Sequence, residues 1–333
     1  MYTDDDLQQA VDNGIFSQSA VEQFRAHIHQ RNNTHFADEE NIKLITSFND
    51  IFVVIACSLL LLSAGWVIQG FSAGLATLVV AALSWGLAAF FVLRRKMALP
   101  AIFLLMTFVG SVFASVSLFL LPDLRLEQVF MLAGFIGSIA AWLHWRRFKV
   151  PITVAAGVGT AVVFVVASMV SLFPAVRAYL MTLMFAGGML VFLLAMRWDM
   201  ADLKRVTGKS DVAFWLHLTA APLIVHPVFS SLGIFEGNQS TLDLGLVLAL
   251  YVVLTLVSLV IDRRAFMVSS LIYVLAALSE LLDTYGLAGD SFAYVGVVIG
   301  FSLLLLSGFW HKARRVLVEA LPQKLQARVP VVA

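Results

Sequence analysis

A chain of 333 residues that is 60% hydrophobic and 13% charged, with a mean hydropathy of +0.91, lies far from soluble globular usage, where about 25% of residues are charged. The formal net charge of +1 leaves no electrostatic footprint for nucleic acid or an acidic substrate. One cysteine, Cys57, excludes an intrachain disulfide framework.

The first 48 residues are polar and acidic and show no basic region leading into an apolar core and cleavage site, so no cleavable signal peptide is expected. Thr3 with Asp4, Asp5 and Asp6 predicts a helix start, Gly14 its stop, and Ser17 with Glu22 a second helix to about Gln30. Leu7, Ala10 and Val11 are expected to pair across the turn with Ile15, Phe16, Ala20, Val21, Phe24 and Ile28. Such a hairpin is too small to stand alone and is expected to dock on the membrane domain or on a cytoplasmic protein partner.

Ten apolar stretches follow, at 51–69, 73–93, 98–121, 128–145, 150–172, 176–196, 212–234, 243–261, 265–285 and 291–310. Each has about the length that crosses a hydrocarbon core roughly 30 Å thick. The predicted fold is therefore an all-α, polytopic transmembrane bundle. It divides into a cytoplasmic helical head at 1–48, a ten-helix membrane domain at 49–311 and a basic tail at 312–333.

Charge supports the count. The loops after the second, fourth, sixth and eighth stretches carry Arg94, Arg95 and Lys96; Arg146, Arg147 and Lys149; Arg197, Lys204, Arg205 and Lys209; and Arg263 and Arg264. With the head and tail, 20 of the 22 Lys and Arg fall on this side, and the opposite loops hold only Arg125 and Arg177. Both termini are expected in the cytoplasm, in the manner of a bacterial inner-membrane protein. The segment Lys312 to Ala327 reads as a basic amphipathic helix interrupted at Pro322, or as a solvated flank. The paired arginines before three of the helices fit a repeated two-helix hairpin, or positive-inside selection alone. Gly157 with Gly159, and Gly187 with Gly188, read as small-residue packing surfaces.

Function is sought among ionisable residues within the spans, because each costs about 2.5 kcal/mol or more in hydrocarbon unless it meets water or a partner. The seventh stretch carries Trp215, Thr219, Pro222, His226 and Ser230 on one stripe, and the ninth carries Ser269, Tyr273, Ala276, Glu280 and the Asp283/Thr284 pair. Counting from the span starts puts His226 about 21 Å and Glu280 about 22 Å deep, so the two are expected to meet at one level. Pro222 and Pro227 remove two amide donors, which predicts a kinked or partly unwound helix with carbonyls free for water or a cation. His217, about half a turn out of phase, reads as an interfacial or backbone-bonded residue. A metal site built from His217, His226 and Glu280, with Asp283 in support, is the alternative that a lipid-modifying enzyme would need. No Walker loop, Rossmann fingerprint, nucleophile elbow or close-spaced metal motif occurs, so no catalytic residue, metal or cofactor is assigned.

The junction Asp38-Glu39-Glu40-Asn41-Ile42-Lys43 through Phe48, Asn49, Asp50 to Val53, the segment Asp262 to Ser269 and the Gly14-Ile15-Phe16-Ser17 turn resemble a bacterial polytopic inner-membrane family of unknown function with a short cytoplasmic helical head. The resemblance implies location rather than activity. Phe48, Asn49 and Asp50 stand where the first span leaves the cytoplasm, and read as a gate or partner contact, with Asp50 a first-turn acid. The expected function is a secondary transporter or permease that moves a small solute or ion with proton coupling through His226 and Glu280. A membrane scaffold or sensor that recruits a partner through its head is the alternative.

Overall fold

A computed structural model describes residues 9–24, 48–203, 205, 207–233, 241–284 and 291–330, with backbone alone for 241, 243, 244, 280–284, 291 and 292. All regular structure among them is helical. The long helices are Phe48–Gln69 (α1), Ala73–Phe91 (α2), Ala98–Leu120 (α3), Leu126–Phe148 (α4), Ile152–Leu172 (α5), Leu180–Met200 (α6), Gly208–Ser230 (α7), Thr241–Ile261 (α8), Ala265–Thr284 (α9) and Ser291–Glu319 (α10), followed by the short Gln323–Gln326 (α11). In lipid a segment must satisfy its own amides and carbonyls, and an unbroken apolar helix does so. Eight helices among the described residues are long and apolar enough to cross a membrane, and the described parts of α8 and α9, 245–261 and 265–279, are apolar but shorter. The chain is an integral, multi-pass membrane protein.

Three boundaries differ from the sequence reading. The sixth stretch opens with a separate 3-10 turn, Pro174–Tyr179, before α6. Helix α7 starts at Gly208 and ends at Ser230, a full turn ahead of the predicted 212–234. Helix α10 runs through the predicted span end to Glu319, so the first part of the basic tail continues that helix, and Pro322 opens α11.

Helices joined on the basic side pack as hairpins, α2 with α3, α4 with α5 and α6 with α7 most extensively, then α8 with α9. Every non-glycine residue with positive φ among the described residues lies in one of these four turns: Lys96 (53°), Lys149 (57°), Arg205 (52°) and Asp262 (59°). The four basic loops therefore share a left-handed turn residue, a conformation in which glycine would be less strained.

Two of the hairpins depend on missing side chains. A Cβ on Gly134 would lie 2.7 Å from the Phe164 amide nitrogen and 2.9 Å from the Thr160 carbonyl, which is how closely α4 and α5 approach. A Cβ on Gly188 would meet Leu223 and Ile224 at 2.8 Å, where α6 lies against α7.

Helix α7 is the centre of its half. It packs on α5, α6 and α9, and 56% of its apolar window is buried against 11–33% in the other seven spanning candidates. One core gathers Val191, Leu216, Val225, Phe229, Phe266 and Val274 around it; another gathers Cys57, Leu104, Leu105, Ala141 and Phe148 among α1–α5. The side chain of Trp215 touches both.

The chain separates into two compact units, 1–42 with residue 333 and 43–332. In the first, residues 9–12 and 18–24 are helical. The turn is a Schellman-type stop: Gly14 takes φ 71°, the Ile15 amide donates to the Ala10 carbonyl at 2.9 Å, and Ser17 Oγ then accepts the Ala20 amide at 3.2 Å. Val21 is buried, but Ile15 and Phe16 stand 69% and 51% exposed. The expected pairing across the turn thus leaves Ile15, Phe16, Ala20 and Phe24 exposed. Thr3, Leu7 and Ile28 lie outside the described residues.

Candidate functional site

Polar side chains concentrate along α7, in two layers. The first lies at the basic ends of α6–α10. Asp199, in the last turn of α6, is 1% exposed and lies within 2.6 Å of Arg263 Nη2 and 2.9 Å of His217 Nε2. Arg263, also 1% exposed, reaches Asp199 through Nε at 3.4 Å and donates from Nη2 to the Ser210 carbonyl and hydroxyl, both at 3.1 Å. The Nδ1 atom of His217 is buried with no hydrogen-bond partner.

Beside this group, Arg205 Nη1 binds Asp262 at 2.7 Å and its Nη2 donates to the Asp262 carbonyl at 3.0 Å. The Trp310 indole donates to Asp262 Oδ1 at 2.9 Å, Arg314 Nε stands 3.4 Å from the same oxygen, and Arg314 Nη2 donates to the Pro330 carbonyl at 2.6 Å. Asp202 accepts from the Thr207 amide at 2.8 Å and hydroxyl at 2.6 Å, which fixes the start of α7. Burial, then Arg263, pull Arg205 below the usual guanidinium value, and Asp262 and Asp199 push it back up. Asp199 faces Arg263, and Asp262 faces Arg205 and Arg314, so each of these two buried carboxylates is met by guanidinium groups. Such a layer clamps helices together, since removing either member of a buried pair strands the other.

The second layer lies toward the other end of α7. His226 Nδ1 is 2.7 Å from the Tyr273 hydroxyl of α9 and 3.3 Å from Ser230 Oγ. Tyr273 is buried and stacks on Phe229 with ring centroids 4.8 Å apart. In a neutral imidazole a bare Nδ1 accepts from the phenol. A protonated ring would make Nδ1 a donor and force that hydroxyl to turn.

Sequence-predicted residues separate accordingly. His226, Tyr273 and Ser230 come together. Thr219 donates to the Trp215 carbonyl of its own helix at 3.0 Å, and its methyl lies near Gly159 of α5. Pro222 is exposed and Pro227 buried, and α7 runs through both as one helix without an unwound stretch. The residue that meets His226 is Tyr273, seven positions and about 10 Å before Glu280 along α9. The side chains of Glu280 and Asp283 lie outside the described residues. Phe48 and Asn49 are exposed at the start of α1, and Asp50 is 2% exposed.

His217 departs from its reading as an interfacial residue, being fully buried against a carboxylate. The two histidines that the metal reading would join take different partners, Asp199 and Tyr273. Sequence reasoning missed the ionic layer because it assigned Arg205 and Arg263 to loop charge alone. The signal was the aspartates set directly among them, Asp199, Asp202 and Asp262, which positive-inside selection does not require. No protein-family model matches the chain, and neither a curated protein nor a solved structure shows similarity to it.

Proposed function

We propose that the protein is a ten-span bacterial inner-membrane transporter with both termini in the cytoplasm, moving a small solute or ion with proton coupling at the α7–α9 seam. The observation that carries the reading is the 2.7 Å contact between His226 and Tyr273, a protonatable pair joining two helices within the bundle. Proton uptake reverses the direction of that hydrogen bond, so the charge state of His226 sets the contact between α7 and α9. Pro222 and Pro227 bracket the histidine and leave the carbonyls one turn before them without their helical amide donors, which lowers the cost of bending α7 there. Glu280, two turns beyond Tyr273 in the same helix, is the second protonatable member. The ionic layer holds the basic ends of α6–α10 as a fixed base against which the seam works.

Proteoliposomes loaded with a pH-sensitive dye and challenged with amino acids, sugars, organic acids and alkali cations test the reading. Solute-dependent proton movement is expected, lost in His226→Asn and Glu280→Gln at unchanged protein level. Proton movement indifferent to both substitutions, or absent with every solute class, would count against it.

A second reading, a scaffold that recruits a cytoplasmic protein through residues 1–48, is favoured by the exposure of Ile15 and Phe16 in the head and of Phe48, 82% exposed, at the start of α1. It predicts that pull-down of a partner disappears when the head is deleted and survives His226→Asn.

A further inference from the structure

The loops opposite the basic ones hold just two cations, Arg125 and Arg177, fifty-two positions apart in the chain. Both converge on one carboxylate. Arg125 Nη1 stands 3.4 Å and Arg177 Nη2 3.3 Å from Glu127, in the first turn of α4. The Glu127 side chain is tucked in at 14% exposure, whereas the two arginine side chains face outward at 58% and 66%. The trio carries a formal charge of +1 and presents guanidinium donors at an end of the bundle where no other described Lys or Arg lies.

Directly beneath it lies an apolar crevice of about 320 Å³ between α4, α5, α6 and α7, with Glu127 and Arg177 among its lining residues. Its walls include Phe130, Val162, Val166, Val170, Met184 and Leu223. Val162 is ten residues from the end of α5 at Leu172, so the crevice reaches about 15 Å down the helix, half of a hydrocarbon core about 30 Å thick. A dry slot one leaflet deep, capped by outward guanidinium groups, matches one amphiphile: an acyl chain below and a phosphodiester above.

We propose that this site binds a phospholipid of the leaflet opposite the basic loops, with one acyl chain in the crevice and its phosphate held by Arg125 and Arg177. The single negative charge of the phosphodiester balances the trio, and Glu127 positions the two guanidinium groups while barring a second anion from the same place. The site is independent of the His226–Tyr273 seam, so its failure would leave the transport reading standing, and the reverse also holds.

Native mass spectrometry of the full-length protein in detergent, supplied with phosphatidylglycerol or phosphatidylethanolamine, tests the site. The native chain is expected to retain one molecule of either lipid. The double substitution Arg125→Gln with Arg177→Gln should lower occupancy about tenfold or more. Val166→Trp, which fills the slot, should do the same, and Leu304→Trp, on the 73% exposed face of α10, should not. Glycerol 3-phosphate should fail to displace the lipid, and diacylglycerol, lacking the phosphate, should bind about tenfold more weakly. Unchanged retention by the arginine double variant, displacement by glycerol 3-phosphate, or equal binding of diacylglycerol would each overturn the proposal. The arginine side chains are largely exposed, so that variant reports on the site even where Val166→Trp fails to fold.

Discussion

In α1–α5 small, neutral groups bond across the helices: Ser84 with Thr107 at 3.2 Å, Ser115 with the Gly74 carbonyl at 3.0 Å, Ser138 with Thr160 at 3.1 Å and His144 with Thr153 at 3.3 Å. In α6–α10 the corresponding role falls to carboxylates and guanidinium groups that are almost wholly buried. A neutral pair adds a few tenths to about 1 kcal/mol to helices that already pack through small residues, and its loss strands a hydroxyl that can turn back to its own helix. An ion pair in the same surroundings contributes little when both members are present and costs much when one is lost. In the first half these neutral bonds therefore only supplement shape. The second half is held by shape plus an all-or-none ionic latch around α7.

Substitutions should separate the halves by magnitude. Arg263→Ala and Asp199→Ala should each destabilise by about 3–5 kcal/mol, seen as lost thermal stability in detergent or failure to accumulate, while the apolar double variant Asp199→Leu with Arg263→Met should recover much of the loss. Arg263→Lys should rescue poorly, because one ammonium cannot replace both Nε, which reaches one Asp199 oxygen, and Nη2, which serves the other Asp199 oxygen and Ser210. Gly188→Val should cost about 1–3 kcal/mol or more through overpacking against Leu223 and Ile224, whereas Gly86→Ala, with open space around its position, should be nearly silent. Trp310→Phe, which removes the indole donor to Asp262, should cost about 1.5–3 kcal/mol by thermal melting. Thr107→Val should cost the least, about 0.6 kcal/mol. A Thr107→Val effect as large as that of Arg263→Ala would erase the distinction.

The helical architecture was legible because apolar length and charge alternation are averages over many residues, insensitive to the placement of any one. The ends of α1 and α5 come within a few residues of the predicted spans. Boundaries drifted where polar residues are buried by tertiary partners: the first turn of α7 contains Asp211 and follows Asp202 and Thr207, so composition alone trimmed it from the span. The same cause hid the ionic layer, since Asp199 and Arg263 are 64 residues apart and become neighbours only when α6 and α9 pack on α7. His226 and Tyr273 were legible as facing stripes, because helical phase is local. Their relative depth was not, since it depends on where each helix starts and how it tilts. Pro222 and Pro227 did not unwind α7: two missing amides leave enough of the ladder for it to remain one helix.

The seam between α7 and α9 is the part of the molecule on which the transport reading stands, and water access is its most direct test. On a Cys57→Ser background, a cysteine at Ala277, which is 1% exposed and one turn beyond Tyr273, is probed with a membrane-impermeant methanethiosulfonate, with Leu304→Cys as the lipid-facing control. Only a thiolate in contact with water reacts, so an alternately hydrated seam predicts labelling of Ala277→Cys at least about tenfold faster than the control. Equal inertness of the two positions would contradict it.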